Sequence, residues 1–138
     1  MVEQESKPLR VGIYVPKDLT DKLSAIMRDF GIDSLSKVVQ EALRLYVAEH
    51  SWRIGGEVIG AIGVLYDHEV GHIDEELTDL QHKYMESIIV ATHVHLDQRN
   101  CLLIIIVRGS SEVIKELIGD IETKRGVKVV RLMLIPKH

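Results

Sequence analysis

Several residue types are scarce in this chain, and each scarcity excludes something. Cys101 is the only cysteine among 138 residues. An intrachain disulfide framework is therefore impossible, and a reducing compartment suits the chain. One Phe and one Trp mean that the core must be largely aliphatic. No apolar run approaches the roughly 20 residues that cross a bilayer, and the first residues, Met1 to Lys7, lack a basic-then-apolar leader pattern. The expectation is a cytoplasmic protein with no membrane partner. Charge of one sign is also lacking. The formal net charge is only −4, and Lys/Arg balance Asp/Glu up to Arg53, so the excess acid falls in the remainder. Bulk charge does not announce a nucleic-acid ligand, and any such case must rest on local geometry.

What is present divides into two parts, expected at 1–52 and 53–138, in an α+β chain. The first opens with Leu9-Arg-Val-Gly-Ile-Tyr-Val15, an alternation that places Leu9, Val11, Ile13 and Val15 on one face of a strand. Arg10, Gly12 and Tyr14 point the other way. Pro16 ends the strand and suits a helix start. Leu19, Leu23, Ile26, Met27 and Phe30 then recur at helical spacing up to Gly31. Ser34 and Ser36 offer N-cap hydroxyls to a second helix with Val38, Val39, Ala42, Leu43, Tyr46 and Val47 inward. A lone strand leaves its hydrogen-bonding groups unpaired. An identical strand from a second copy would complete an antiparallel ribbon that fits the major groove of DNA. The competing arrangement is an edge strand on the second part's sheet.

Ser51-Trp-Arg-Ile-Gly-Gly56 reads as a hinge. Beyond it the pattern predicts a strand over Glu57–Tyr66, a helix over about Ile73–Ser87, strands over Ile88–His95 and Cys101–Val107, a helix from Ser110 or Ser111 to Lys124, and a strand over Val127–Ile135. This βαββαβ order is the ferredoxin-like (ACT-like) arrangement, with both helices on one face of an antiparallel sheet.

The densest chemistry lies in the central hairpin. His93 and His95 share one face of their strand. A five-residue loop over 96–100 sets Cys101 opposite His95 on that face, whereas a two-residue turn at Gln98-Arg99 puts the thiol on the wrong side. Both hairpin faces are largely apolar, and helices can cover only one. The histidine face is therefore expected to be the open one, covered by a second copy. His82 falls opposite the Ile73, Leu77, Leu80, Tyr84 stripe of its helix, so it points away from its own core toward a neighbouring copy. Three imidazoles and one thiolate suit tetrahedral zinc, copper, or nickel(II) in a square plane.

His68-Glu-Val-Gly-His72 matches the H-E-x-x-H pattern of zinc hydrolases. That chemistry needs a helix through both histidines, which the preceding strand and Gly71 oppose. His50, His138 and Asp74-Glu75-Glu76 ask for no functional reading, the acids being suited to a helix N-terminus.

Taken together, the chain resembles the nickel-responsive ribbon-helix-helix transcriptional regulators, from about Leu9 to His138. Tyr66-Asp-His-Glu69, Gln81-His82, Ala91-Thr-His-Val-His95, Asn100-Cys101, Lys124-Arg-Gly-Val127 and Pro136-Lys137 carry the resemblance. It implies a dimeric ribbon-helix-helix head and a homotetramer, a dimer of dimers around four metal domains. It also implies one square-planar Ni(2+) per subunit, held by His93, His95 and Cys101 of one copy and His82 of another. Repression of nickel-uptake genes at a two-fold symmetric double-stranded operator follows. The contacts to DNA would come from Arg10, Gly12 and Tyr14, with Ser34, Ser36 and Lys37 near phosphates. A small-molecule-sensing regulator of the same architecture is the alternative, and a small zinc hydrolase using His68, Glu69 and His72 a remoter one. Departures stand out as well. Gly12 and Tyr14 replace the threonines of the usual Arg-x-Thr-x-Thr strand, Leu103 replaces a glutamate often found two residues after the ligand cysteine, and Lys37 takes an often acidic position.

Overall fold

A computed structural model describes residues 6–137. The chain packs into two compact units, one up to Glu41 and the other from Ala42 onward.

In the first unit, residues 6–16 hold no regular secondary structure. The strand expected over Leu9–Val15 is thus not formed in the single chain, because a strand exists only with a hydrogen-bonded partner. Helix α1 (Lys17–Phe30) begins where Pro16 fixes φ at −59°, and its first turn closes with Thr20 N–H donating to the Pro16 carbonyl at 2.9 Å. Gly31 ends it in the left-handed region at φ 65°, where glycine pays no Cβ penalty. Helix α2 (Leu35–His50) starts with the Ser34 hydroxyl accepting from Lys37 N–H at 3.3 Å. Neither helix buries a residue. The apolar stripe expected to face inward is open, with Phe30 73% exposed. A pair of amphipathic helices needs a cover for that stripe.

The second unit begins within α2, at Ala42, and holds a 3-10 turn over Ser51–Ile54, then β1 (Glu57–Asp67), α3 (Ile73–Lys83), β2 (Ile88–His95), β3 (Asn100–Ser110), α4 (Ser111–Glu122) and β4 (Val127–Lys137). Trp52 is buried, which corrects the hinge reading of Ser51–Gly56. Its indole anchors the turn, and only Gly55 and Gly56, at φ 133° and 83°, keep the freedom expected of a hinge. Helix α3 stops short of the expected Ser87. The Arg108 N–H donates to the Ser87 carbonyl at 2.8 Å and draws residues 84–87 toward the sheet.

The sheet is antiparallel in the order β2-β3-β1-β4, as the ferredoxin-like arrangement requires. Val58, Ile62, Val64 and Tyr66 of β1 join Cys101, Leu103, Ile105 and Val107 of β3 in one core with Ile73, Leu77 and Leu80 of α3 and Ile114, Leu117, Ile118 and Ile121 of α4. Both helices therefore cover the face that holds Cys101. This reverses one expectation. The two faces of the hairpin divide as alternation predicts, but the histidine–cysteine face is the helix-covered one. The open face carries Ile59, Val90, Val94, Val129, Met133 and Ile135, all exposed. The reason is in β3, where Leu103, Ile105 and Val107 continue the thiol's face and meet the deeper layer of apolar residues from β1 and both helices. Among the described residues, no helix is long and apolar enough to cross a membrane.

Candidate metal centre

The site grows from strand register. In the β2–β3 ladder His95 pairs with Cys101 and His93 with Leu103; in the β1–β3 ladder Tyr66 pairs with Cys101. His95, Cys101 and Tyr66 thus form one transverse row across three strands, with His93 one step along. The His95–Cys101 pairing is that of the five-residue loop. Asp97 holds the loop, accepting from the backbone N–H groups of Arg99 and Asn100, each at 2.8 Å, and from the Asn100 amide at 2.9 Å. These donors, the Asn100 side chain foremost, lower the Asp97 carboxyl to about 2. Arg99 also ties the loop to the end of β1, reaching Asp67 at 3.0 Å and Glu69 at 3.3 Å. The backbone N–H of Glu69 and the Arg99 guanidinium hold the Asp67 carboxyl below its ordinary value against the cost of burial.

His93, His95 and Cys101 each offer a ligand atom, and these atoms lie within 4.8 Å of one another. His95 Nδ1 is 3.3 Å from Cys101 Sγ, and the two imidazole centroids are 4.9 Å apart. Donors bound at roughly 2.0–2.3 Å to one ion lie at most about 4.5 Å apart, so the cluster fits a cation after a shift of tenths of an ångström. The two rings are exposed and the thiol is buried. The rings stand on the helix-covered face near the end of the edge strand β2, with His93 lining a cleft beside Asp74, Leu77, Thr78 and Gln81 of α3. Burial first, and the negative charge of Asp74 second, push the Cys101 thiol up. Without a cation it stays protonated; with one, thiolate–cation attraction opposes that shift.

His82 is exposed in the last turn of α3 and does not join the cluster. Residues 68–72 form turns ahead of α3, and Gly71 has φ 54°. His68 and His72 therefore lack the shared helical face that hydrolase chemistry requires. The His68 ring instead bonds the Gln98 carbonyl and sits edge-on to His95, with centroids 6.3 Å apart. Arg10, Gly12 and Tyr14 are exposed in the irregular segment, as are Ser36 and Lys37 near the start of α2.

Two site neighbours escape a reading of the hairpin alone. The Tyr66 hydroxyl donates to Asp74 Oδ1 at 2.9 Å and lies 2.6 Å from His93 Nε2. Burial, then the bond to Asp74, raises the phenol, so it remains protonated. The signal for Tyr66 was its alternation with Val64 and Ile62. Asp74 looked only like a helix-terminal charge, and no spacing connects it to a strand 19 residues on.

Comparison with known proteins bears on the same residues. The model of the NikR C-terminal nickel-binding domain matches residues 59–135. A protein of Pyrococcus furiosus named as a nickel-responsive regulator is 35% identical over 127 residues, covering 91% of this chain and 92% of that one. Similarly named proteins of Dictyoglomus thermophilum (38% over 124 residues; 89% and 92%) and Methanothermobacter thermautotrophicus (38% over 126 residues; 90% of each) resemble it too.

Proposed function

Because this chain belongs to the nickel-responsive regulator family, we propose that it is a nickel-dependent DNA-binding repressor of nickel-uptake genes in the cytoplasm. The observation that carries this reading is the convergence of His93, His95 and Cys101 within 4.8 Å inside the stretch that matches a nickel-binding domain. These three would hold one Ni(2+) per subunit, with His82 of a neighbouring copy as fourth donor. The exposed position of His82 near the end of α3 suits a donor that serves another chain. When bound, the ion would act as a Lewis acid toward these donors and so would tie the two copies together.

The rest of the work falls to the chain's own residues. Cys101 gives up its proton to become a ligand, so loading releases acid. His93 and His95 bind as neutral imidazoles, each through an unprotonated nitrogen. Two open surfaces support a homotetramer: the apolar stripes of α1 and α2 and the open sheet face each need a cover. Pairing through the first would yield a dimeric ribbon-helix-helix head over residues 1–52. Pairing through the second would join the metal-binding parts, residues 53–138, into a dimer of dimers.

In the head, Arg10, Gly12 and Tyr14 of paired strands would face the major groove of a two-fold symmetric double-stranded operator. Ser34, Ser36 and Lys37, at a helix N-terminus, would meet phosphates. Nickel activates this arrangement only by binding the competent state more tightly than the others. Moving its population from 1% to 99% takes about 5.5 kcal/mol of differential binding.

Gel mobility with promoter DNA, with and without nickel, tests the reading. The full chain is expected to retard the DNA only with nickel. Cys101→Ala is expected to lose that response and the thiolate charge-transfer absorption, with nickel affinity down more than about 100-fold. Retardation that ignores nickel, or intact absorption in the variant, overturns it.

A further inference from the structure

His82 lies in the last turn of α3, just before two residues that tie this turn to α4. The Lys83 ammonium donates to Asp120 Oδ2 at 2.9 Å, and the Tyr84 hydroxyl donates to the same oxygen at 2.5 Å. The Lys83 Nζ also lies over the Tyr84 ring, 5.1 Å from its centroid. Tyr84 is buried, so its ring is packed as well as bonded. Asp120 is carried on a fixed support, since Ile114, Leu117, Ile118 and Ile121 of α4 are buried.

The end of α3 depends on such a clasp more than that of α1 would. The last carbonyls of a helix lack intrahelical partners, and the final turn tends to fray. Helix α1 closes on Gly31 in the left-handed region, but α3 closes on Tyr84 at φ −108°, without that glycine closure. The backbone bonds to the Tyr84 and Ser87 carbonyls hold the chain beyond the helix. Successive residues stand about 100° apart around the axis. Two neighbouring side chains drawn to one carboxylate oxygen therefore limit the rotation of the turn as well as its distance from α4. As an exposed ion pair, Lys83–Asp120 adds little to overall stability; its constraint is local.

We propose that Asp120 is a positioning residue for the metal centre: through Lys83 and Tyr84 it holds the end of α3 in place, and so fixes where His82 is presented to the donors of a neighbouring copy. The proposal rests on the reading that His82 completes a neighbour's site. A donor set shared between chains gains affinity when each part is ordered before the ion arrives, because the ordering need not then be done at loading.

The first measurement needs no metal. In the full-length, metal-free protein, hydrogen exchange at the Lys83, Tyr84 and Met85 amides is expected to quicken roughly tenfold in Asp120→Ala, with the core amides of β3 unmoved. Tyr84→Phe keeps the buried ring and loses only the hydroxyl, and it is expected to quicken the same amides. Asp120→Asn keeps an acceptor for Tyr84 and is expected to restore most of the protection. Nickel affinity should fall about 10- to 100-fold in Asp120→Ala. Glu116→Ala removes an equal charge from an exposed position of α4 and is expected to change neither readout.

Mixed assemblies then locate the effect. A His82→Ala chain refolded with a Cys101→Ala chain can complete a nickel site only with His82 of the second and the other donors of the first. Asp120→Ala added to the chain that donates His82 is expected to weaken that site about tenfold or more. Added to the other chain, it is expected to leave the site unchanged. Equal weakening from either chain, or unaltered exchange in folded Asp120→Ala and Tyr84→Phe, overturns the proposal. A hybrid that forms no site even with Asp120 intact would remove the cross-chain role of His82 and the proposal with it, a failure visible before Asp120 is changed.

Discussion

Cys101 is the residue on which the chemistry turns. It is wholly buried yet touches His95 at 3.3 Å, so one sulfur belongs both to the core and to the exposed cluster. Its pH behaviour follows. Burial and Asp74 raise the thiol above its ordinary value, so at neutral pH the proton is bound and must leave on loading. Below the raised value, the thiol step alone increases apparent nickel affinity by about tenfold per pH unit. Competition titration from pH 7 to 8.5 is expected to show this rise, and a flat profile would mean that no thiolate forms. The lone cysteine, its pattern with His93 and His95, and the outward His82 were all legible in the sequence. Asp74 was not, because its connection to the site runs through the Tyr66 side chain.

At the scale of elements, the site depends on register, since a slip of one residue in β2 would send both histidines, and one in β3 the thiol, to the opposite face. The Asp97 turn sets one side of that register. Gly60 supports the sheet on the other: a Cβ there would stand 2.0 Å from the Met133 carbonyl of β4. Gly60→Ala is expected to cost about 3 kcal/mol in denaturant unfolding. At Gly63 an added Cβ meets nothing nearer than the Arg131 carbonyl at 3.7 Å, and Gly63→Ala is expected to stay within about 1 kcal/mol. Equal losses would show that β1 and β4 do not approach closely at Gly60. Element order was readable from hydrophobic period and glycine punctuation. Helix α3 ends at Lys83 although Met85 and Glu86 suit a helix, because the Ser87 carbonyl is taken by a backbone bond from β3.

For the whole molecule, a complementation experiment decides whether the proposed site is shared between copies. His82→Ala and Cys101→Ala chains should each lack the full ligand set. Unfolded together and refolded as a mixture, they are expected to recover part of the thiolate–nickel absorption, since an intact site can draw His82 from one variant and the other donors from its neighbour. No recovery in verified mixed oligomers would confine the site to single chains. The open sheet face provides a second test. Met133→Lys places a charge among exposed apolar side chains and is expected to lower the assembly's mass in light scattering while leaving the circular dichroism unchanged. A full-size oligomer would locate the subunit interface elsewhere.

Alternation and period determined much by themselves: the strand and helix order of the second unit and the partition of hairpin residues into two faces. These are local properties, written in spacing along one or two neighbouring strands. The choice between the two possible loops, and with it the pairing of His95 with Cys101, came with the strand register. Which hairpin face lies under the helices was decided only by the tertiary structure. Both faces are apolar, and the choice depends on how β1, α3 and α4 together fill one core. The same packing buried Trp52 in a supposed hinge and brought Asp74 to Tyr66, since a side chain's partners across a fold are set by where distant elements come to rest.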